Sequence, residues 1–76
     1  MQPRITLKEA RIRKGTQREI ALAIGVTETT IRNIENGRSK PSLELAFTLS
    51  VFLGIDMETL WVDLVEQCER KVLNTN

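Results

Sequence analysis

Four glycines divide this chain into segments that suit short helices and little else. They stand at positions 15, 25, 37 and 54 of a 76-residue sequence. Between them the apolar residues recur three and four apart, the period of a helix with one buried face. No stretch alternates strictly for long enough to predict a strand. Glycine stops a helix at low cost because it enters the left-handed region without a Cβ clash. The expectation is an all-α chain forming a single domain over residues 1–76, with five helices joined by short connections.

The boundaries follow from local chemistry. The first helix is expected from about Thr6 to Lys14, with Leu7, Ala10, Arg11 and Lys14 on one face and Gly15 as its stop. Thr16 and Glu19 form a capping box at the start of the second helix, whose apolar stripe is Ile20, Ala23 and Ile24 and whose end is Gly25. Thr27 caps the third helix, with Ile31 and Ile34 as its buried pair and Asn36-Gly37 as its end. A basic loop leads from Gly37 to Pro41. Ser42 caps the fourth helix, Leu43 to about Leu53, and Asp56 caps a fifth that starts near Met57 and continues through Leu60, Trp61, Leu64, Val65, Cys68 and Val72. Asn74-Thr75-Asn76 is expected to fray.

Composition excludes several chemistries. There is no His and no Tyr, so a Ser/His/Asp triad, a Cys/His pair and a His-ligated metal site cannot be built. Cys68 is the one cysteine; it can form neither an internal disulfide nor a zinc cluster, and an unpaired Cys suits a reducing cytoplasm. No apolar run approaches the roughly 18 residues of a membrane span, and the residues after Met1 do not read as a signal peptide. No catalytic residue, metal or cofactor is expected.

The formal net charge of +1 conceals a split. Residues 1–40 carry nine basic and four acidic side chains, a balance of +5, and residues 41–76 carry two basic and six acidic, a balance of −4. Such asymmetry hints at a nucleic-acid face; an unevenly charged, solvated surface would give the same numbers.

Thr16–Gly37 reads TQREIALAIGVTETTIRNIENG, two short helices around a turn centred on Gly25-Val26. That is the anatomy of a helix-turn-helix. Ala21 is small where the helices would cross, and Gly25 is free to take positive φ. Val26, Ile31 and Ile34 would pin the second helix to the body. Glu28, Thr29, Arg32 and Asn33 are then left polar and exposed, with side chains able to reach base edges. An ordinary pair of helices in a bundle would share part of this pattern.

The match runs further. LKEARIRKG, TQREIALAIGVT, TTIRNIENG and PSLELAFTLSVFLGI followed by DMETL occur in that order from about Leu7 to Leu60. Together they resemble the Cro/CI-type (XRE-type, lambda-repressor-like) helix-turn-helix DNA-binding family. The resemblance implies a compact five-helix fold with the helix-turn-helix over residues 16–36, and double-stranded DNA as partner. It implies base contacts from Glu28, Thr29, Arg32 and Asn33. Backbone contacts would come from Gln17, Arg18, Thr27, Asn36, Arg38 and Lys40, with Gln17 also bracing the recognition helix. Arg11 and Glu35 match an interior ion pair that ties the first helix to the end of the third.

Two features depart from the family pattern. Gly15 runs straight into Thr16-Gln17, so the first turn is a residue short. Glu28 is acidic where a base contact often falls: it either accepts from a cytosine amino group or bridges Arg32 at i+4. Arg32 is read as a bidentate partner of guanine, with a phosphate clamp as the alternative. Arg4, Arg13 and Lys14 are read as surface solvation.

Phe47, Val51 and Phe52 cannot all face inward with Leu43, Ala46, Leu49 and Leu53, and Trp61, Leu64 and Val65 add further apolar surface. The resemblance implies dimer contacts from this C-terminal region, beginning at about residue 57. The alternative is that the last helix folds back over Phe52 within one chain. The function expected is a sequence-specific transcriptional regulator, a repressor acting as a homodimer on a palindromic operator. The competing reading is an antitoxin whose main partner is a toxin protein. An enzyme is not expected.

Overall fold

The computed structural model describes residues 2–73 and contains six helices: α1 (Ile5–Lys14), α2 (Gln17–Ile24), α3 (Glu28–Glu35), α4 (Leu43–Leu53), α5 (Met57–Leu60) and α6 (Val62–Leu73). No strand occurs among the described residues. The frayed tail expected at 74–76 lies outside them.

The predicted caps are in place. Thr16 and Glu19 form the complete box: the Glu19 N–H donates to Thr16 Oγ1 at 3.1 Å and the Thr16 N–H donates to Glu19 Oε1 at 2.9 Å. Hydrogen bonds to the Glu19 carboxylate, from the Thr16 backbone first and its side chain second, hold that carboxyl below its usual pKa. Thr27, Ser42 and Asp56 accept from the N–H groups of Thr30, Leu45 and Thr59 at 3.1, 3.1 and 2.8 Å. Hydrogen bonds from Thr59, from its side chain first and its N–H second, likewise depress the Asp56 carboxyl. The shortened first turn is closed by the box and by Arg11 Nη1, which donates to the Gly15 carbonyl at 3.2 Å.

The count of five helices is corrected at Trp61. Its φ of −116° and ψ of 46° interrupt the last helix, separating α5 from α6. The interruption accompanies the seating of the indole, which is 0% exposed in the core. Its Nε1–H donates to the Ala46 carbonyl at 3.0 Å and to Ser50 Oγ at 3.2 Å. The ring thus buries its full apolar area and satisfies its one donor against α4. The first helix also begins at Ile5, one residue earlier than expected.

Around Trp61 the core takes Leu7 and Ala10 from α1, Ile20 and Ala21 from α2, Ile31 and Ile34 from α3, Ala46, Leu49 and Leu53 from α4, and Leu60 from α5. Phe52 and Leu64 are partly buried against it. Ala23, placed on the apolar stripe of α2 by its spacing, is exposed; Ala21 holds the interior position instead.

Gly37 is the glycine with the tightest surroundings. Its φ is +75°, and a Cβ there would collide with the main-chain carbonyl of Gln2. The N-terminal segment therefore crosses the end of α3 at backbone contact distance. Gly37→Ala is expected to destabilise the chain by about 2 kcal/mol or more, combining left-handed strain with overpacking. Gly25→Ala also carries the left-handed penalty, but its Cβ meets nothing within 4 Å. Urea unfolding of the two variants should therefore rank Gly37→Ala as the more damaging.

Candidate nucleic-acid interface

The arrangement starts from the two faces of α3. Its inner face buries Ile31, Ile34 and Glu35. The turn before it contains Gly25 in the left-handed conformation (φ 79°, ψ 32°) and the half-buried Val26. The Val26 N–H donates back to the Ala21 carbonyl at 3.0 Å, closing the turn. The outer face is polar: Thr29, Arg32 and Asn36 are exposed, and Glu28 and Asn33 are half-buried.

Glu35 closes the inner face. Arg11 Nε donates to its Oε2 at 2.6 Å and Arg11 Nη2 to its Oε1 at 2.9 Å, a bidentate pair inside the protein. Gln17 Nε2 adds a third donation to Oε1 at 3.3 Å. The hydrogen bond to Glu35 pushes the Arg11 pKa up, with burial opposing it. Gln17 thus links the start of α2 to the end of α3.

On the outer face Arg32 Nη2 donates to Glu28 Oε2 at 3.2 Å, with the two side chains 47% and 41% exposed. An i,i+4 pair this wet contributes at most a few tenths of a kcal/mol. It therefore orients Arg32 without committing it, and the guanidinium keeps further N–H donors for another partner. The Thr27 hydroxyl caps α3 and sits 2.8 Å from that of Thr30.

Arg18 and Arg38 are exposed near this face's ends in sequence. The N–H groups of Arg38 and Ser39 donate to the Asn33 carbonyl at 2.9 and 3.4 Å, folding the loop back on α3. Lys40 is turned elsewhere: its Nζ donates to Gln67 Oε1 on α6 at 2.9 Å.

Arg4 is corrected most. Read from sequence as surface solvation, its side chain is 8% exposed and paired with Asp63 at 3.1 Å. Its Nη1 donates to the carbonyls of Ile34 and Ser39 at 2.6 and 2.9 Å. No local pattern could have revealed this, since the partners lie 30, 35 and 59 residues away.

The six apolar residues expected to join two copies fall into different environments. Phe47 and Val51 are exposed, 51% and 80%, on α4. Phe52 is half-buried and packs on the core. Trp61 is withdrawn from the surface altogether, because its indole finds its partners inside α4. Leu64 and Val65 line a groove of about 810 Å³ between the start of α4 and α6, along with Leu43 and Val72, which are not among the six. The last helix does not seal that groove: Leu43 and Val72 are each 71% exposed.

No group of three or more Cys, Asp or Glu among the described residues could hold a metal ion. No helix there is long and apolar enough to cross a membrane.

Comparison with known proteins gives one consistent result. A helix-turn-helix family profile matches residues 7–60. An uncharacterized HTH-type transcriptional regulator of Methanocaldococcus jannaschii is 40% identical over 47 residues, covering 62% of this chain and 71% of that protein. Another, of Archaeoglobus fulgidus, is 35% identical over 60 residues, covering 78% and 86%. No solved structure matches significantly.

The two ion pairs that involve α3 should respond very differently to removal. Arg11→Ala strands a buried carboxylate and is expected to cost about 3–5 kcal/mol in denaturant unfolding. Arg32→Ala, which removes a solvent-screened pair, should stay within about 0.5 kcal/mol of the parent chain.

Proposed function

The chain belongs to the helix-turn-helix family of transcriptional regulators, and from that premise we propose that it is a sequence-specific reader of double-stranded DNA. In this reading residues 16–36 are the helix-turn-helix, and α3 is the recognition helix, lying in the major groove. The observation that carries it is the division of α3: an inner face locked by Glu35, and an outer face on which every side chain is polar. A helix fixed from behind presents its outer side chains in one orientation, which base readout requires.

Arg32 contacts guanine through its free N–H edge, oriented by Glu28, with Thr29 and Asn33 reading neighbouring bases. Gln17, Arg18, Thr27, Asn36 and Arg38 hold the phosphate backbone. Lys40 joins them only by leaving Gln67. Nothing in this assignment calls for catalysis or a cofactor.

Two copies pair through the C-terminal apolar surfaces, Phe47, Val51 and the groove of Leu64 and Val65. The acidic half of the chain then points away from phosphate. Such a homodimer sets two recognition helices about 34 Å apart, matching a palindromic operator. In this reading occupancy of the operator blocks transcription, and the regulator acts as a repressor.

Selection of sites from a random DNA pool, followed by gel shifts, tests the reading: one palindromic motif should emerge, and equal affinity for random DNA would defeat it. Arg32→Ala is expected to cost about 1–3 kcal/mol and relax preference at one base pair per half-site. A uniform loss across all sequences would make Arg32 a phosphate contact instead. Light scattering during size-exclusion chromatography should give twice the monomer mass. A monomer at tens of micromolar would overturn the homodimer, and a short toxin-like reading frame beside the gene would favour the antitoxin reading.

A further inference from the structure

Arg4 joins three parts of the chain that are distant in sequence. Its Nη1 donates to the Ile34 carbonyl in the last turn of α3, at 2.6 Å, and to the Ser39 carbonyl in the loop after it, at 2.9 Å. Its Nη2 and Nε donate to the two carboxylate oxygens of Asp63, in the first turn of α6, at 3.1 and 3.4 Å. The guanidinium carbon lies 5.7 Å from the centroid of the Trp61 ring, and the Arg4 main-chain N–H donates to the Glu35 carbonyl at 2.7 Å. A planar fork of five donors can serve such a set of acceptors; an ammonium cannot.

A second tie runs beside the first. Lys40, in the same loop as Ser39, donates to Gln67 at 2.9 Å, and Gln67 stands one turn beyond Asp63 on α6. The loop that carries Arg38 is thus held to α6 at two points, one through Arg4 and one directly. Its main chain is also tied to the end of α3: the Gly37 N–H donates to the Ile34 carbonyl at 3.2 Å, and the N–H groups of Arg38 and Ser39 donate to the Asn33 carbonyl at 2.9 and 3.4 Å.

Resting on the reading above, in which α3 and this loop meet DNA and α6 belongs to the pairing surface, we infer that Arg4 and Asp63 are positioning residues for DNA binding. They touch no base or phosphate. They fix the loop and the end of α3 relative to α6, so the order of α6 sets how firmly Arg38 grips phosphate. Because such coupling is reciprocal, pairing of two copies tightens the grip and DNA favours pairing.

Asp63→Asn gives a test whose sign separates the explanations. Removing a negative charge strengthens binding to a polyanion if electrostatics alone acts. Positioning predicts the reverse. The probe is a fluorescein-labelled random-sequence duplex of about 20 base pairs, two helical turns, read by anisotropy across a salt series.

Asp63→Asn is expected to weaken binding about three- to tenfold, the scale at which residues remote from both ligands alter coupling. The slope of log affinity against log salt should shrink by about one phosphate contact. Asp63→Glu should recover most of the loss. Arg4→Lys, which keeps the charge and leaves α6 unchanged, should lose affinity and slope as Asp63→Asn does.

Wild-type affinity and slope in folded Asp63→Asn and Arg4→Lys would overturn the inference, as would tighter binding by Asp63→Asn. Loss of the helical circular dichroism signal in both variants would overturn it too, making Arg4 a general folding element. A wild-type chain that binds neither this duplex nor any site selected from a random pool would overturn the DNA reading itself.

Discussion

The carboxylate of Glu35 is the group around which the other helices are set. It ends α3 with 2% exposure and accepts from Arg11 of α1 and Gln17 of α2. An ionised carboxylate withdrawn from water is tolerable only when fully matched, so α1 must present its guanidinium in one orientation. The apolar contacts of Leu7, Ile20, Ile31 and Ile34 supply most of the attraction but are non-directional. The fork of Arg11 fixes the register in which they meet. Arg4 closes the same end from the other side, placing a cation where the last carbonyls of α3 carry partial negative charge. With Thr27 capping its start, α3 is tied at both ends, and its polar face is presented without a search through orientations.

The parts of the fold legible in the sequence are those decided within a turn or two of chain. Thr16, Thr27, Ser42 and Asp56 begin helices because a side-chain oxygen and an orphan N–H lie three residues apart, a relation that sequence states directly. Gly25 and Gly54 end helices for equally local reasons. Trp61 is the contrary case. Its spacing with Leu60, Leu64 and Val65 reads as one continuous stripe, and the spacing cannot reveal that the indole has acceptors waiting at Ala46 and Ser50. The helix is interrupted at the residue whose side chain makes those tertiary bonds. The Arg11–Glu35 pair, 24 residues apart, is legible only through resemblance to a family, since no local pattern joins its members.

The charge split illustrates the same limit. Nine basic residues in the first forty look like one electropositive field. Two of them, Arg4 and Arg11, are spent internally, with side chains 8% and 10% exposed. Lys40 is engaged with α6 and Arg32 with Glu28. The positive surface is thus more selective than the sum implies, and it retains Arg18 and Arg38, both exposed, at the two ends of the α2–α3 unit. Counting charges gives only the balance of each half; the side-chain partners show which cations are engaged within the chain and which are exposed.

Helix α6 combines two faces with opposite needs. Asp63 is tied to the body through Arg4 and Gln67 through Lys40, while Leu64, Val65, Cys68 and Val72 line the open groove beside α4. From Glu66 to Val72 every side chain is exposed, so this stretch has little core of its own. Partly exposed polar ties contribute at most about a kcal/mol each. Covering apolar surface contributes about 25 cal/mol for each Å² removed from water. A few hundred Å² of cover over the groove therefore outweighs the ties that hold α6 in an isolated chain. Whatever covers the groove orders the helix, and the same helix anchors the loop beyond α3. In so small a chain one helix thus both borders the open apolar groove and holds the loop that follows α3.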